Sequence, residues 1–241
     1  MNAMKPVCGI ARSGWKFVLP FAVALLVAVI LGWGIAAVVL AILTGYMVWF
    51  FRDPERKTPG IPNSISSPAD GKVASVLEVP EEHMPGGKAL RVAIFLNIFN
   101  VHVQRVPAAG EVTSVEHRPG RHLNALSEKC SEENEACTLW LKTEHGPVGV
   151  RQIAGAIARR IICAASVGEE VRRGQRYGII QFGSRVELLL PPCASVKVQP
   201  GQTVTGGLTC IAVLYEKELL KGQPCRPEPA EDAEPPVAKA C

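Results

Sequence analysis

Charge is missing from a long stretch near the start of the chain. The 35 residues from Phe17 to Phe51 include no Asp, Glu, Lys, Arg or His, only a run rich in Ala, Val, Leu and Ile. No acidic residue precedes Asp53, and the only charged side chains before it are Lys5, Arg12, Lys16 and Arg52, so the net charge of +4 sits at the N-terminal end. From Asp53 onward bases and acids balance at 22 each, which gives no ground for a nucleic-acid partner. The eight cysteines (Cys8, Cys130, Cys137, Cys163, Cys193, Cys210, Cys225 and Cys241) form no C-x-x-C pair, so the usual zinc spacing is absent and no metal is expected. Scattered cysteines in a chain of this size fit a reduced, cytosol-facing protein better than a disulfide scaffold. Large apolar side chains are nearly absent from Gly222 to Cys241, a Pro, Glu and Ala tail expected to be disordered. Elsewhere, 48% hydrophobic and 20% charged residues suffice for a real core.

The uncharged run is membrane sequence. As one straight helix it would be roughly 50 Å long against a hydrocarbon core of about 30 Å, so it must tilt or break. Gly32-Trp33-Gly34 stands at its midpoint, and basic residues flank both ends: Arg12 and Lys16 before, Arg52, Arg56 and Lys57 after. The positive-inside rule then favours a helical hairpin with both ends in the cytoplasm. A signal peptide is the competing reading, against which the run is too long and lacks a closing cleavage site.

The remainder reads as β. Apolar or alternating runs of strand length recur at Lys72–Val79, Leu90–Leu96, Val101–Val106, Thr138–Lys142, Tyr177–Phe182, Val186–Leu190 and Thr209–Tyr215, with one short helix expected near Leu123–Asn134. Gly168-Glu-Glu-Val171-Arg-Arg-Gly174 aligns with Gly201-Gln-Thr-Val204-Thr-Gly-Gly207 at an offset of 33. Such turns resemble those of lipoyl/biotinyl-type barrel-sandwiches, although ordinary β-turn chemistry also produces them. The expected fold is mainly β with minor α: an anchor over 1–52, a barrel-sandwich-like β domain over 53–221 and a tail over 222–241.

Gly183-Ser184 lies between two strongly apolar segments. A serine hydroxyl placed there can fold back on the Gly183 carbonyl, helped by a preceding residue without Cβ. An N-to-O acyl shift followed by β-elimination would cut the chain and leave a residue that hydrolyses to an N-terminal pyruvoyl group. Asp70, in Ser67-Pro68-Ala69-Asp70-Gly71, and His102, inside the apolar segment Phe95–Pro107, would complete an Asp-His-Ser arrangement in which Asp70 orients the imidazole that deprotonates Ser184. The plainer alternatives are a Gly-Ser hairpin turn, a core histidine bonded to a backbone carbonyl and an Asp-Gly turn. His122 is a second candidate base, whereas His83, His117 and His145 sit in polar, turn-like surroundings expected at the surface.

Six ordered motifs carry a resemblance: Arg52-Asp53-Pro54-Glu55-Arg56, Ser67-Pro-Ala-Asp70-Gly, Asn100-Val-His102, Pro119-Gly-Arg-His-Leu-Asn124, Ser131-Glu-Glu-Asn134-Glu and Phe182-Gly183-Ser184-Arg185. Together they resemble the short-form phosphatidylserine decarboxylase proenzymes over roughly residues 46–216. The resemblance implies self-cleavage at Gly183-Ser184 into a β chain, Met1–Gly183, and an α chain, Ser184–Cys241, which form a heterodimer with further oligomerisation left open. It also implies a pyruvoyl cofactor made from Ser184 that forms a Schiff base with phosphatidylserine, releasing CO2 and phosphatidylethanolamine at the cell membrane. Pyridoxal phosphate is not expected, since no Gly-rich phosphate loop is present. Longer bacterial relatives carry a second histidine where this chain has Arg105.

Between Arg151 and Arg185 lie seven arginines and two acids, a stretch that can either meet anionic headgroups or form a solvated β surface. Asn100 and Asn124 are candidates for headgroup hydrogen bonds. The competing function is a membrane-anchored barrel-sandwich adaptor of a transport system, in which Gly183-Ser184 is merely a turn.

Overall fold

In a computed structural model, which describes residues 4–156, 160–181 and 184–214, the uncharged run forms two antiparallel helices. These are α1 (Trp15–Ile30) and α2 (Gly34–Phe50). The break is a glycine-dependent helix stop: Gly32 takes φ 70°, its N–H reaches Val29 O, and the Trp33 N–H reaches Ala28 O. With a short 3-10 turn before it, the first helix makes a 19-residue apolar helix, Arg12–Ile30, long enough to cross a membrane; the second is shorter. Both expose apolar side chains nearly all round, including Leu26, Ile30, Ile35, Val38 and Ile42. Helices of that kind are buried in a core or in lipid. Where the two legs meet the β body, Ala11 N–H bonds Phe51 O and Asp53 N–H bonds Gly9 O, so both ends of the hairpin emerge on the same side.

The β body begins with β1 (Ser64–Ser66), β2 (Gly71–Pro80), β3 (Lys88–Leu96), β4 (Val103–Arg105) and β5 (Gly110–Arg118). After the single-turn helix α3 (Cys130–Glu133) come β6 (Ala136–Thr143), β7 (Gly146–Ala154), β8 (Ile161–Cys163), β9 (Glu170–Val171) and β10 (Arg176–Ile180). It ends with β11 (Ser184–Leu190), β12 (Ser195–Val196), β13 (Thr203–Val204) and β14 (Cys210–Val213). An eight-stranded antiparallel sheet, in the order β13-β2-β3-β11-β7-β6-β5-β9, curls into a half-barrel. Two three-stranded sheets, β4-β10-β8 and β1-β14-β12, complete it. Mainly β with an N-terminal apolar helix is therefore the fold, as the alternation implies. The helix expected near Leu123–Asn134 shrinks to Cys130–Glu133, because Asn134 instead ties the preceding segment as an open loop: its side chain bonds Leu123 N–H, Leu123 O and Ala154 O. The 222–241 tail lies outside the described residues.

The glycine repeat is real and belongs to a larger duplication. Gly168, Gly174, Gly201 and Gly207 all have positive φ, and Val171 and Val204 are buried on the short strands β9 and β13 that edge the large sheet. Each edge strand lies on a strand with a shared sequence: Pro68-Ala-Asp-Gly-Lys-Val-Ala-Ser-Val76 leads into β2, and Pro107-Ala-Ala-Gly-Glu-Val-Thr-Ser-Val115 into β5. The glycines are obligatory in both copies. A Cβ on Gly71 would sit 2.2 Å from Phe95 O, and one on Gly110 would sit 2.4 Å from Lys142 O. Each copy also carries a register shift, Val73/Ser75 and Val112/Ser114.

Strand β11 runs through the middle of the large sheet, antiparallel to β3 on one side and β7 on the other, with all seven residues buried. Alternation puts Ser184, Val186, Leu188 and Leu190 on one face and Arg185, Glu187 and Leu189 on the other. Val186, Leu188 and Leu190 join the main apolar core with Ile94, Leu96, Leu139 and Val150. The face carrying Ser184 is thus the interior of the half-barrel.

Candidate active site

Ser184 heads β11, opposite Leu96 of β3 and Ala154 of β7. Its side chain is fully buried, and its Oγ has no hydrogen-bond partner among the described residues. A buried hydroxyl left unpaired costs about 1–3 kcal/mol. Phe182 and Gly183, on the other side of the expected cut, lie outside the described residues.

His102 is also fully buried, between the foot of the hairpin and β4. Its ring stands 4.2 Å from that of Phe50, the last residue of α2. Nδ1 lies 2.9 Å from the Asn100 carbonyl oxygen, which can only accept, so Nδ1 carries the proton and Nε2 holds the basic lone pair. Burial pushes the imidazole down to about 4; the Asn100 bond raises it, Arg52 lowers it and the Asp70 charge raises it. The group is therefore a neutral base throughout the physiological range.

That shift has a measurable sign. An unfolded histidine protonates near pH 6.5 while the folded one resists until about 4, so His102 contributes stability that is full above about 6.5 and is lost as pH falls toward 4. The full loss amounts to about 3 kcal/mol. Thermal melts in detergent at pH 7 and 4.5 should show wild type losing stability that a His102→Gln chain keeps; identical pH dependence in the two chains would contradict this.

Asp70 sits in the turn before β2. Its carboxylate takes two bonds from the Arg56 guanidinium, at 2.5 and 2.8 Å, and one from the Gly206 N–H at 2.8 Å. It is directed at Arg56 rather than at the imidazole, which it influences through space, and the tautomer of His102 is set by Asn100. The duplication bears on whether Asp70 is merely a turn former. Its counterpart in the second copy is Ala109, and that copy also leads into a strand and carries the same bulge, so the turn does not require a carboxylate.

Arg105, at the second-histidine position, is a buried strut bonding Pro54 O at 2.7 Å and Gly174 O at 3.1 Å and pairing with Asp53. Three of the seven arginines in the basic stretch are ion-paired within the fold and a fourth is tied to backbone carbonyls. Arg176 pairs with Asp53 and Glu55, Arg151 with Glu81 and Glu187, and Arg185 with Glu187 and Glu128, while Arg173 bonds the Pro59, Ile61 and Ser64 carbonyls. Arg160 and Arg172 are exposed, and Arg159 lies outside the described residues. The cations that bear on His102 and Asp70 are instead Arg52 and Arg56. Their signal was the Arg52-Asp53-Pro54-Glu55-Arg56 motif, to which residue chemistry alone assigned no role.

Asn100 Oδ1 accepts from Asn97 N–H, and Asn124 Oδ1 from Leu126 N–H, so both amides shape turns. His122 is half-buried, its Nδ1 bonding Arg121 O. His83 and His117 are exposed and face Glu81, Glu116 and Glu135; His145 is half-buried in the turn after β6.

A fully buried serine hydroxyl on the interior face of a β half-barrel, and a buried imidazole packed against the foot of an apolar hairpin, define a class: a β protein carried on an N-terminal apolar hairpin. Residues 43–212 match the family model described as phosphatidylserine decarboxylase. A phosphatidylserine decarboxylase proenzyme of Symbiobacterium thermophilum is 46% identical over 206 residues, covering 85% of this chain and 95% of that relative. Proenzymes of the same description from two strains of Burkholderia ambifaria are 44% identical over 218 residues, covering 90% of this chain and 100% of theirs. The chain belongs to the phosphatidylserine decarboxylase family.

Proposed function

We propose that the chain cuts itself between Gly183 and Ser184 and then converts phosphatidylserine to phosphatidylethanolamine and CO2 at the membrane. The observation that carries this reading is the buried, unpartnered Oγ of Ser184 at the head of a central strand. Nothing supports the adaptor alternative.

In the cut, His102 Nε2 takes the Oγ proton as Oγ bonds the Gly183 carbonyl carbon and the peptide C–N bond breaks, freeing the residue 184 amine. Loss of the Cα proton then expels Gly183 as a carboxylate from Cβ. Water completes the change, with release of ammonia. Asp70, tied to Arg56 and Gly206, keeps a negative charge near the imidazole as it gains a proton. The resulting pyruvoyl group supplies a carbonyl electron sink that no protein side chain offers. Position 184 suits it, since among the described residues loss of the hydroxyl removes no hydrogen bond. The new α chain begins on β11, held along its length by β3 and over most of it by β7 of the β chain, which supports a heterodimer that stays together after cutting.

The hairpin supports a membrane anchor over 1–52 that holds the β domain, 53–221, at the bilayer. Arg12, Lys16, Arg52 and Lys57 at its feet favour the cytoplasmic face. The test is a denaturing gel and intact-mass measurement on purified full-length protein. Two chains are expected, the smaller without a free N-terminal amine; a single intact chain that still decarboxylates the lipid would overturn the proposal.

A further inference from the structure

Strand β3 ends at Leu96, directly opposite Ser184. The chain then turns through Asn97, Ile98, Phe99 and Asn100 before reaching His102. Two asparagines fix this turn from within: Asn97 N–H bonds Asn100 Oδ1, Phe99 N–H bonds Asn97 Oδ1, and Asn100 N–H bonds Asn97 O. The two apolar side chains are left outside, Ile98 39% and Phe99 60% exposed. A turn that draws both asparagine side-chain oxygens inward and presents two large apolar side chains is an arrangement for a non-aqueous neighbour.

The hairpin indicates which neighbour. The Phe99 ring lies 5.9 Å from that of Trp49, which is itself 40% exposed near the foot of α2. Arg52 ties the two together: its guanidinium stacks 4.1 Å above the Trp49 ring and bonds both Trp49 O and Phe99 O. Tryptophan beside arginine at the end of an apolar helix is the pattern of a membrane–water boundary. The turn is therefore level with that boundary and continuous with the lipid-facing surface of the hairpin.

We propose that the Asn97–Asn100 turn is a second membrane contact, in which Ile98 and Phe99 enter the lipid at the foot of the hairpin and hold the end of β3 that faces position 184 against the headgroup layer. The inference rests on the membrane-decarboxylase reading and adds a docking element to it. Anchoring alone confines the domain to the surface; the turn fixes its orientation, so that a headgroup reaches residue 184 without the lipid leaving the bilayer.

The experiment uses full-length, self-processed protein carrying Ile98→Ser with Phe99→Ser, and separately Phe99→Trp. Each is assayed on vesicles of phosphatidylserine in phosphatidylcholine and on dihexanoyl phosphatidylserine below its micelle concentration, with gel analysis of cutting and vesicle flotation in parallel. The double variant should cut and float as wild type does and turn over the monomeric lipid equally well, while its kcat/KM on vesicles falls about tenfold; Phe99→Trp should keep vesicle activity. Unchanged vesicle activity in the double variant, or an equal fall on both substrates, would overturn the docking role while wild-type turnover still upholds the decarboxylase reading. Self-cut wild type that turns over neither lipid would overturn that reading, and the docking role with it.

Discussion

Ser184→Ala is expected to yield a single full-length chain with no measurable decarboxylation, yet a fold at least as stable as the wild-type precursor. The first half follows from the chemistry proposed for position 184: without Oγ there is no nucleophile for the Gly183 carbonyl, no ester to eliminate and no ketone. The second half follows from the structure. Oγ is buried without a partner, so removing it relieves an unpaired polar group instead of breaking a bond, a gain of up to about 1–3 kcal/mol. One methyl-sized side chain remains on the interior face. Gel analysis, CO2 release and a thermal melt on one preparation test both halves. An uncut variant that melts much lower than the precursor would show the serine to be structural, and a variant that retains activity would remove it from the mechanism.

Glu187→Ala should cause the largest loss of stability of any single change considered. Glu187 lies three residues beyond Ser184 on the opposite face of β11 and is fully buried. Its Oε1 accepts from Ser131 Oγ at 2.6 Å and from Arg185 Nε at 3.0 Å, while Arg91 and Arg151 approach at 3.6 and 3.7 Å. Removing the carboxylate leaves the fully buried Arg185 with Glu128, whose side chain is half exposed, at 2.9 Å as its ion partner among the described residues, beside a long bond to Ser75 Oγ. Breaking one member of a buried ion cluster in this way costs about 3–5 kcal/mol. That is a large fraction of a typical domain's stability of about 5–15 kcal/mol. Glu187→Gln, which keeps an acceptor for Ser131 and Arg185, should lose less. Chemical denaturation of both variants in detergent measures the difference, and a loss below about 1 kcal/mol for Glu187→Ala would refute the argument. Because this cluster grips the strand that Ser184 heads, slower self-cleavage should accompany the lost stability.

Much of this was legible in the residues. The seven segments with clean alternation or continuous apolar character all contain strands, and the Gly-x-x-Val-x-x-Gly pair marks the two edge turns. Strands β5 and β7 were not legible. In β5 the bulge at Val112/Ser114 breaks the alternation, and none of the strand's residues beyond Val112 is buried. In β7, Gly146, Pro147 and Gly149 read as turn residues, although Gly149 is where the Trp140 ring packs so closely that a Cβ would lie 2.6 Å away. The second half of the duplication, Pro107–Val115, is present in the sequence but becomes meaningful once both copies are seen beneath matching glycine turns.

By itself the sequence determined the apolar hairpin, because the cost of placing charge in lipid is set by local composition, and it determined the family, through six motifs in order. It also marked Ser184, His102 and Asp70 as candidates. Only the tertiary structure decided what surrounds them: that the Ser184 hydroxyl is fully buried, that Phe50 of the hairpin packs on His102, that Asp70 faces Arg56, and that Arg151, Arg176 and Arg185 of the basic stretch are paired with carboxylates. Desolvation and ion pairing are properties of neighbours. Here the neighbours are far apart along the chain, as with Arg185 and Glu128 or Arg176 and Asp53, so no reading of local spacing contains them.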